Sequence, residues 1–174
     1  MKGIILYHSK YGATKKYASW LVEETGFICI ETEKAKIQDV VQYDVIILAG
    51  GIYATGIGGI KFLRKYQDLL KDKNVIVFCC GASPYEEKAF KQVKDFNMKN
   101  ISLNVPFFYG RGAWDVDSMS FVHRKLISLL KKMLAKKDPK DYEIWEKALV
   151  EAGDAKADWT DKKYIKPLLE YLNK

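Results

Sequence analysis

Hydroxyl and glycine residues are close together in one short segment near the start of the chain. Residues 7–14 carry Ser9, Gly12 and Thr14 between an apolar run and an amphipathic run. The N–H groups at the start of a helix have no partner within the helix, and the helix dipole adds partial positive charge there. A loop that opens such a helix and offers hydroxyl donors is typical of a phosphate site. The sequence therefore predicts that this loop holds a phosphate, with Ser9 and Thr14 as hydroxyl donors.

The residues of the loop restrict which phosphate compound could bind. The loop lacks the Gly-Lys-Ser/Thr ending that holds the β- and γ-phosphates of a triphosphate. It also lacks the three-glycine spacing that lets a backbone approach the pyrophosphate of a dinucleotide. A monophosphate held by hydroxyl and amide groups remains. Lys10 either adds positive charge to this site or is solvated.

The elements that must position this loop alternate along the chain. Five apolar runs predict strands, and amphipathic segments between and after them predict helices. This alternation predicts a parallel sheet with helices on both faces. The predicted strands cover residues 3–7, 27–30, 44–49, 74–80 and 101–109, and the main predicted helices cover residues 14–24, 60–70, 86–96 and 118–137.

Segments after the fifth predicted strand extend the chain beyond this pattern. We expect Asp117 to cap the helix at 118–137, Asp141 to start a short helix that Gly153 ends, and Thr160 to cap a last helix that Pro167 kinks. The prediction is a single domain at 1–174, with a core at about 1–137 and a helical extension at about 138–174.

Two further glycine-bearing loops follow the third and fourth predicted strands. Residues 50–56 form one of them and residues 81–85 the other. In parallel sheets, ligands bind beyond the carboxyl ends of the strands, where these loops and the phosphate loop all emerge. The three loops are therefore expected to form one site.

The segment Ser9-Lys10-Tyr11-Gly12-Ala13-Thr14 resembles the FMN phosphate loop of flavodoxin-like proteins. The resemblance implies a three-layer α/β/α sandwich with a five-stranded parallel sheet in the order 2-1-3-4-5 and extra C-terminal helices. It also implies FMN as the cofactor, which carries the redox chemistry without a catalytic side chain. The cofactor-binding residues that it implies are Ser9, Lys10, Tyr11, Gly12, Ala13 and Thr14 at the phosphate, and Gly50, Gly51, Ile52, Tyr53, Gly81, Ala82, Ser83 and Tyr85 at the flavin ring.

A narrower resemblance lies in the last third of the chain. The layout of Tyr109-Gly110-Arg111, Trp114 and the basic residues at 123–125 and 131–132 is similar to that of flavodoxin-like, quinone-dependent protoporphyrinogen oxidases. It implies an oxidoreductase that removes hydrogens from a porphyrinogen and passes electrons to a membrane quinone. Arg111 would either contact a substrate carboxylate or brace a loop. A soluble electron carrier and a cofactor-free regulatory or interaction domain remain alternative functions.

The basic helix at 118–137 permits two interpretations. Its apolar stripe, Met119, Val122, Leu126, Leu129, Leu130 and Met133, would pack on the sheet and leave a solvated basic face. Alternatively, the helix would contact an anionic membrane surface or a partner. Nucleic acid is not expected, because no aromatic platform or recognised binding motif accompanies the helix.

Composition and charge fit a cytoplasmic protein with a redox partner or a small-molecule substrate. The net charge of +7 differs from the acidic charge typical of electron-carrier flavodoxins. Cys29, Cys79 and Cys80 lie in strand-like runs, where we expect reduced core residues rather than a disulfide or a metal site. No apolar run is long enough to span a membrane, and no signal peptide is recognised.

Overall fold

The computed structural model describes residues 2–153 and 155–173. Five parallel strands form the central sheet, and a two-residue strand pairs antiparallel with the third of them. The strands are β1 (Gly3–His8), β2 (Ile28–Glu31), β3 (Val45–Tyr53), the short β4 (Gly56–Ile57), β5 (Asn74–Gly81) and β6 (Phe107–Arg111). The order β2-β1-β3-β5-β6 confirms the predicted 2-1-3-4-5 arrangement of the parallel strands.

Helices cover both faces of this sheet and complete the predicted three-layer fold. The helices are α1 (Ala13–Thr25), α2 (Ile37–Val40), α3 (Ile60–Leu70), α4 (Glu87–Met98), α5 (Phe121–Leu134), α6 (Ile144–Ala152) and α7 (Lys166–Leu172). Helices α2, α3 and α4 pack on one face, while α1 and α7 pack on the other. The interiors of β1, β3 and β5 are thus shielded from water on both sides, which explains their continuous apolar runs.

The end of β3 differs from the prediction, which stopped this strand at Ala49 and placed a loop at 50–56. Gly50 and Gly51 remain in the sheet, in register with Cys79 and Cys80 of β5. A Cβ on Gly50 would lie 2.3 Å from the carbonyl oxygen of Gly58, so only glycine lets the two backbones approach this closely. These glycines therefore serve a close backbone approach within the sheet.

The fifth parallel strand also begins later than predicted. β6 starts at Phe107, whereas the alternation of Ile101 and Val105 predicted a strand from residue 101. Both side chains are nevertheless buried in the core. Pro106 has no N–H to donate, although its carbonyl accepts from Val77 N–H. Ile101 and Val105 are therefore buried although their segment does not form the continuous hydrogen bonds of a strand.

The last helix completes the second helical layer. Leu168 of α7 and Ile165 just before it are buried with Tyr17 of α1 against the sheet. The additional helices α5 and α6 are instead inserted between β6 and α7, together with a two-stranded ribbon of β7 (Ala113–Trp114) and β8 (Ala157–Asp158). The predicted extra C-terminal helices are therefore present, and the segment that packs outside the three layers lies at 113–159.

The helix boundaries in this insertion and after it differ from the prediction. Ser120, not Asp117, caps α5 by accepting from His123 N–H. Asp141 belongs to a short 3₁₀ turn, and α6 begins after it at Ile144 and ends before Gly153, as predicted. A second 3₁₀ turn, at 162–165, precedes α7. Pro167 lies in the first turn of α7, where proline needs no N–H acceptor and causes no kink.

The stripe predicted for α5 does not pack on the sheet. Leu130 and Met119 pack in a separate cluster with Trp114 and Leu149. The rest of the predicted stripe is exposed: Val122, Leu126, Leu129 and Met133. A stripe of apolar side chains identifies a helix face but not the element that covers it.

The three cysteines occupy two environments. Cys79 and Cys80 are buried, as predicted, and burial raises the pKa of the Cys80 thiol to about 11. Cys29 is exposed, contrary to the prediction, because β2 is an edge strand of the sheet. Within residues 2–153 and 155–173, no helix is long and apolar enough to cross a membrane.

Replacing Leu168 with alanine should test whether α7 is part of the core. Leu168 is fully buried, so Leu168→Ala should lower the free energy of unfolding by roughly 2–4 kcal/mol through lost contacts and a cavity. Leu129→Ala in α5 is the control, since Leu129 is 55% exposed and should change stability by less than about 0.5 kcal/mol. Urea unfolding measures both, and equal effects would contradict this packing of α7.

Candidate functional site

The carboxyl ends of β1, β3 and β5 bring the three predicted loops together. The loop after β1 leads into α1, the β3–β4 turn lies beside it, and the loop after β5 leads to α4. The sheet positions these loops because β1, β3 and β5 are neighbours in register. The predicted meeting of the loops at one edge is therefore observed.

The helix start at α1 presents free backbone donors. Gly12 is the N-cap residue, with a φ of 92° that L-residues with a side chain rarely adopt. No side chain caps the helix, and its first turn contains no acidic residue. Gly12 N–H donates to Ser9 Oγ at 3.1 Å, which folds the loop over the helix start. This arrangement leaves the dipole and first-turn N–H groups of α1 available to an anion.

Thr14 connects the loop to the sheet beneath it. Its side chain is buried, and Thr14 Oγ1 lies 3.1 Å from Cys80 Sγ in a shared hydrogen bond. The hydroxyl that the sequence assigned to a phosphate is thus engaged with β5. Thr14 fixes the position of the helix start relative to the strand that carries the third loop.

Tyr53 lies across the phosphate loop. Its hydroxyl accepts the Lys10 N–H at 2.7 Å, and Lys10 Nζ lies 4.5 Å from the centre of its ring. A Cβ on Gly51 would lie 2.7 Å from this hydroxyl, so the glycine makes room for the tyrosine. Burial raises the pKa of Tyr53 to about 12, an effect that the Lys10 N–H partly opposes. The Tyr53 hydroxyl therefore stays neutral and accepts the hydrogen bond of a backbone N–H group in the phosphate loop.

The insertion contacts the phosphate loop through one pair of side chains. Tyr11 Oη and His123 Nδ1, at the start of α5, form a hydrogen bond, and their rings meet edge to face. This contact joins His123 and α5 to the loop. On the other side of the loop, His8 pairs with Glu33.

An apolar cavity of about 600 Å³ lies beside the other two loops. The predicted residues Ile52, Gly81, Ala82, Ser83 and Tyr85 line it, whereas Tyr53 does not. The insertion supplies its outer wall, made by Trp114, Leu126, Ile127, Leu130, Ile144, Trp145, Ala148 and Leu149. The volume and the mainly apolar lining are typical of a small-molecule site.

Tyr109 anchors the loop after β5. Its hydroxyl donates to the carbonyl oxygen of Ser83 at 2.5 Å and lies 3.2 Å from that of Gly81. Burial raises the pKa of Tyr109, so the hydroxyl stays protonated as a donor. The ring also packs against Tyr85 and Phe90. Sequence reasoning did not assign this anchoring role, because the contact joins two strands that are remote in the chain.

Arg111 braces the same loop, which is one of its two predicted roles. Arg111 Nε donates to the carbonyl oxygen of Ala82 at 3.0 Å, and the guanidinium lies 4.0 Å from the ring centre of Trp159. The Tyr17 hydroxyl donates to the Arg111 carbonyl oxygen at 2.6 Å. Arg111 is thereby held between the loop, α1 and the insertion.

The ends of the insertion are tied to the core. Trp159 N–H donates to the carbonyl oxygen of Gly112 at 3.0 Å, and Lys16 of α1 pairs with Asp158 at 2.9 Å. Partial burial opposes ionisation of Asp158, but hydrogen bonds from Thr160 and Lys16 lower its pKa to about 2. The wall of the cavity is therefore attached at Gly112 and at α1.

Comparison with known proteins agrees with this arrangement. A family model described as a flavodoxin domain matches residues 4–143. The chain belongs to the flavodoxin domain family. The match begins in β1 and includes the phosphate loop, both cavity loops and helix α5.

Several solved structures resemble this flavodoxin domain. The reduced flavodoxin of Megasphaera elsdenii is 21% identical, with a TM-score of 0.46 over 62% of this chain and 84% of that one. A putative flavoprotein from Bacteroides eggerthii is 16% identical, with a TM-score of 0.49 over 74% and 96%. A Lactobacillus acidophilus flavoprotein in complex with FMN is 17% identical, with a TM-score of 0.42 over 63% and 92%. No curated protein matches the sequence significantly.

Proposed function

We propose that this flavodoxin domain binds FMN and oxidises an apolar small molecule in the cavity beneath its insertion. The observation that carries the proposal is that an uncapped helix start and an apolar cavity lie at the same edge of the sheet. The helix start suits a phosphate, and the cavity suits a flat ring and a substrate. The flavoprotein from Lactobacillus acidophilus, a structure in complex with FMN, is consistent with this choice of cofactor.

The phosphate would bind at the loop from Ser9 to Thr14. Ser9 Oγ and the N–H groups of Tyr11 and Ala13 would be its donors, and Lys10 would add positive charge. Gly12 N–H would join them on leaving Ser9 Oγ, to which it donates in this structure. The contact between Thr14 and Cys80 fits a supporting role for Thr14, because it sets the height of the helix start above β5. The donor set is complete without a metal ion.

The ring would lie between the β3–β4 turn and the loop after β5. Gly50, Gly51 and Ile52 would border it on one side, and Gly81, Ala82, Ser83 and Tyr85 on the other. The hydrogen bonds from Tyr109 and Arg111 fit this role because they fix the positions of the loop carbonyls of Ser83 and Ala82. A firmly held loop gives fixed backbone dipoles, which can adjust the electronic properties of a bound cofactor.

When bound, FMN supplies a two-electron acceptor for hydride or for electrons taken one at a time. The chain's own residues bind the phosphate, orient the substrate against the cavity wall and exclude water through α5 and α6. We infer that the substrate is a largely apolar ring compound, with a porphyrinogen as the candidate donor and a quinone as the candidate acceptor. A soluble electron carrier would have no need for this walled cavity, so the cavity favours an enzyme.

Tyr53 and a bound phosphate would compete to accept a hydrogen bond from the same backbone N–H group, that of Lys10. The Tyr53 hydroxyl accepts from Lys10 N–H, at the loop position where a phosphate oxygen would be held. Binding would then require the tyrosine side chain to turn away from the loop. A turned Tyr53 ring could stack on the flavin, as the resemblance implies for this residue.

A matched pair of glycine variants tests the phosphate site. Gly12 and Gly26, at opposite ends of α1, have φ values of 92° and 68°, and an added Cβ at either would meet nothing within 4 Å. Alanine should therefore strain both positions by a similar roughly 1–2 kcal/mol. Gly12→Ala should weaken FMN binding at least about tenfold because it disturbs the donor loop, whereas Gly26→Ala should leave the affinity unchanged.

Flavin fluorescence during titration of the reconstituted protein measures both affinities, and urea unfolding measures the two stability losses. Equal FMN affinities in the two variants would rule out this phosphate site. A folded protein that stays colourless after reconstitution would favour the cofactor-free interaction domain.

Removing the Tyr53 hydroxyl should strengthen FMN binding. Tyr53→Phe leaves the Lys10 N–H without its protein acceptor. A phosphate oxygen would then accept this hydrogen bond without competition, which should raise the affinity for FMN roughly fivefold. Tyr171→Phe removes a tyrosine hydroxyl from α7, outside the three loops and the cavity; it is the control and should not change the affinity. Weaker binding in Tyr53→Phe would show that the hydroxyl contacts the cofactor directly.

The cavity wall should affect the substrate without affecting the cofactor. Trp145→Ala removes an aromatic wall residue from α6 and should raise KM for protoporphyrinogen about tenfold, with an unchanged FMN affinity. Anaerobic turnover with a quinone acceptor is the assay, and Trp20→Ala, outside the cavity, is the control. Absence of turnover in an FMN-loaded wild-type protein would favour the electron-carrier role.

A further inference from the structure

We propose that the exposed face of α5 docks on the surface of an anionic lipid bilayer. This face consists of Val122, Leu126, Leu129 and Met133 with the flanking cations Lys125, Lys132 and Lys136. The proposal concerns a surface that the cofactor site does not use. It gives the insertion a second role besides covering the cavity.

The apolar residues of the face form a regular stripe. Val122, Leu126, Leu129 and Met133 follow one another in steps of four, three and four residues, so they lie on one side of the helix. Their exposed fractions are 71%, 47%, 55% and 60%. The adjacent side of α5 packs against β7 and α6 through Ile127, Leu130 and Leu134. The helix thus has one apolar side that the fold uses and a second that it leaves in water.

The charge around the stripe is of one sign. Residues 118–137 contain six lysine and arginine residues and no aspartate or glutamate. Lys137 pairs with Glu146. Arg124, Lys125, Lys132 and Lys136 are exposed, and none of the ion pairs among residues 2–153 and 155–173 involves them. Lys125 and Lys132 are seven residues apart, so they lie beside the apolar stripe, and Lys136 follows just beyond the end of α5.

An anionic bilayer matches both features of this face. Apolar side chains enter the boundary between headgroups and acyl chains, while lysines extend to the phosphates, as in interfacial amphipathic helices. A second copy of the chain fits less well, because a two-fold contact would bring the same lysines against one another. An apolar protein patch would leave the lysines unneutralised. The combination of charge and exposed apolar area therefore favours lipid.

The cavity lies next to the proposed docking face. Leu126 belongs to the stripe and also lines the cavity, together with Ile144 and Trp145 of α6. Both α6 residues are partly exposed, at 42% and 38%, and tryptophan is favoured at membrane interfaces. If the proposed function holds, a substrate dissolved in the bilayer would reach the cavity beside Leu126 without crossing water.

Vesicle sedimentation with the full chain tests the proposal. The wild-type protein should bind vesicles made of equal parts phosphatidylglycerol and phosphatidylcholine, and bind those of phosphatidylcholine alone at least about tenfold more weakly. The double variant Leu129→Glu with Met133→Glu should lose at least about tenfold in partitioning to the anionic vesicles. Neither residue lines the cavity, so FMN affinity should be unchanged.

A second double variant, which makes the same kind of substitution on another surface, is the control. Leu69 and Phe96 are 57% and 59% exposed, on α3 and α4. Leu69→Glu with Phe96→Glu adds the same charge and removes similar exposed apolar area. This variant should bind vesicles within about twofold of the wild-type protein. An equal loss of vesicle binding in both double variants would show an effect of net charge alone and would overturn the proposal that this face of α5 docks on lipid.

The lysines beside the stripe give a separate prediction. Lys125→Gln with Lys132→Gln should weaken binding to anionic vesicles by roughly 25-fold, since each basic residue near such a surface contributes about fivefold. Added salt should weaken vesicle binding by the wild-type protein more than it weakens binding by this variant.

Two results would overturn the proposal. One is equal wild-type binding to anionic and neutral vesicles, or binding to neither. The other is a concentration-dependent dimer in sedimentation velocity that the Leu129→Glu and Met133→Glu changes abolish, which would make the face an interface between copies. Vesicle binding by a protein that does not bind FMN would leave this proposal standing and overturn the proposed function.

Discussion

The turn from β1 into α1 is the constraint on which the rest of the site depends. Gly12 adopts a left-handed conformation there, and no side chain caps the helix behind it. Thr14 then fixes the helix start to β5 through Cys80, beneath the neighbouring loops. Because a helix start without a cap presents unpaired N–H groups, this single turn sets both the location and the charge preference of the site.

The insertion between β6 and α7 turns an open sheet edge into a walled cavity. It is attached at its ends, where Trp159 bonds to Gly112 and Asp158 pairs with Lys16, and it touches the phosphate loop through His123 and Tyr11. An element held at several points can cover a site without being part of the sheet. The same insertion carries the exposed face of α5, so one segment connects the cofactor loop, the cavity and the proposed membrane surface.

Tyr53 shows how a backbone donor in the loop can be satisfied within the protein when no ligand is bound. Its hydroxyl bonds to Lys10 N–H, while its ring lies beside Lys10 Nζ. A neutral hydroxyl holds this donor only by a hydrogen bond of ordinary strength, whereas a phosphate oxygen would form a charge-assisted one. The difference allows a ligand to displace the tyrosine at modest cost.

The sequence by itself determined the layers, the strand order and the location of the loops. Apolar runs and helix signals are local, and the alternation of strands with helices restricts the topology to a few choices. Ser9 and Gly12 could be assigned to a phosphate loop because their residue types act through the local backbone. The predicted roles of Tyr53 and Thr14 differ from the contacts observed, since a side chain's partner across the sheet leaves no mark in the local pattern.

Only the tertiary structure decided which helix closes the sandwich and what covers α5. The stripes of α5 and α7 look alike in sequence, yet Leu168 is fully buried while Leu129 is 55% exposed. Their burial differs because α7 packs on the sheet beside α1, whereas α5 packs on α6 and the β7–β8 ribbon. Periodicity shows that a helix has an apolar side, but burial depends on where the rest of the chain brings a second surface.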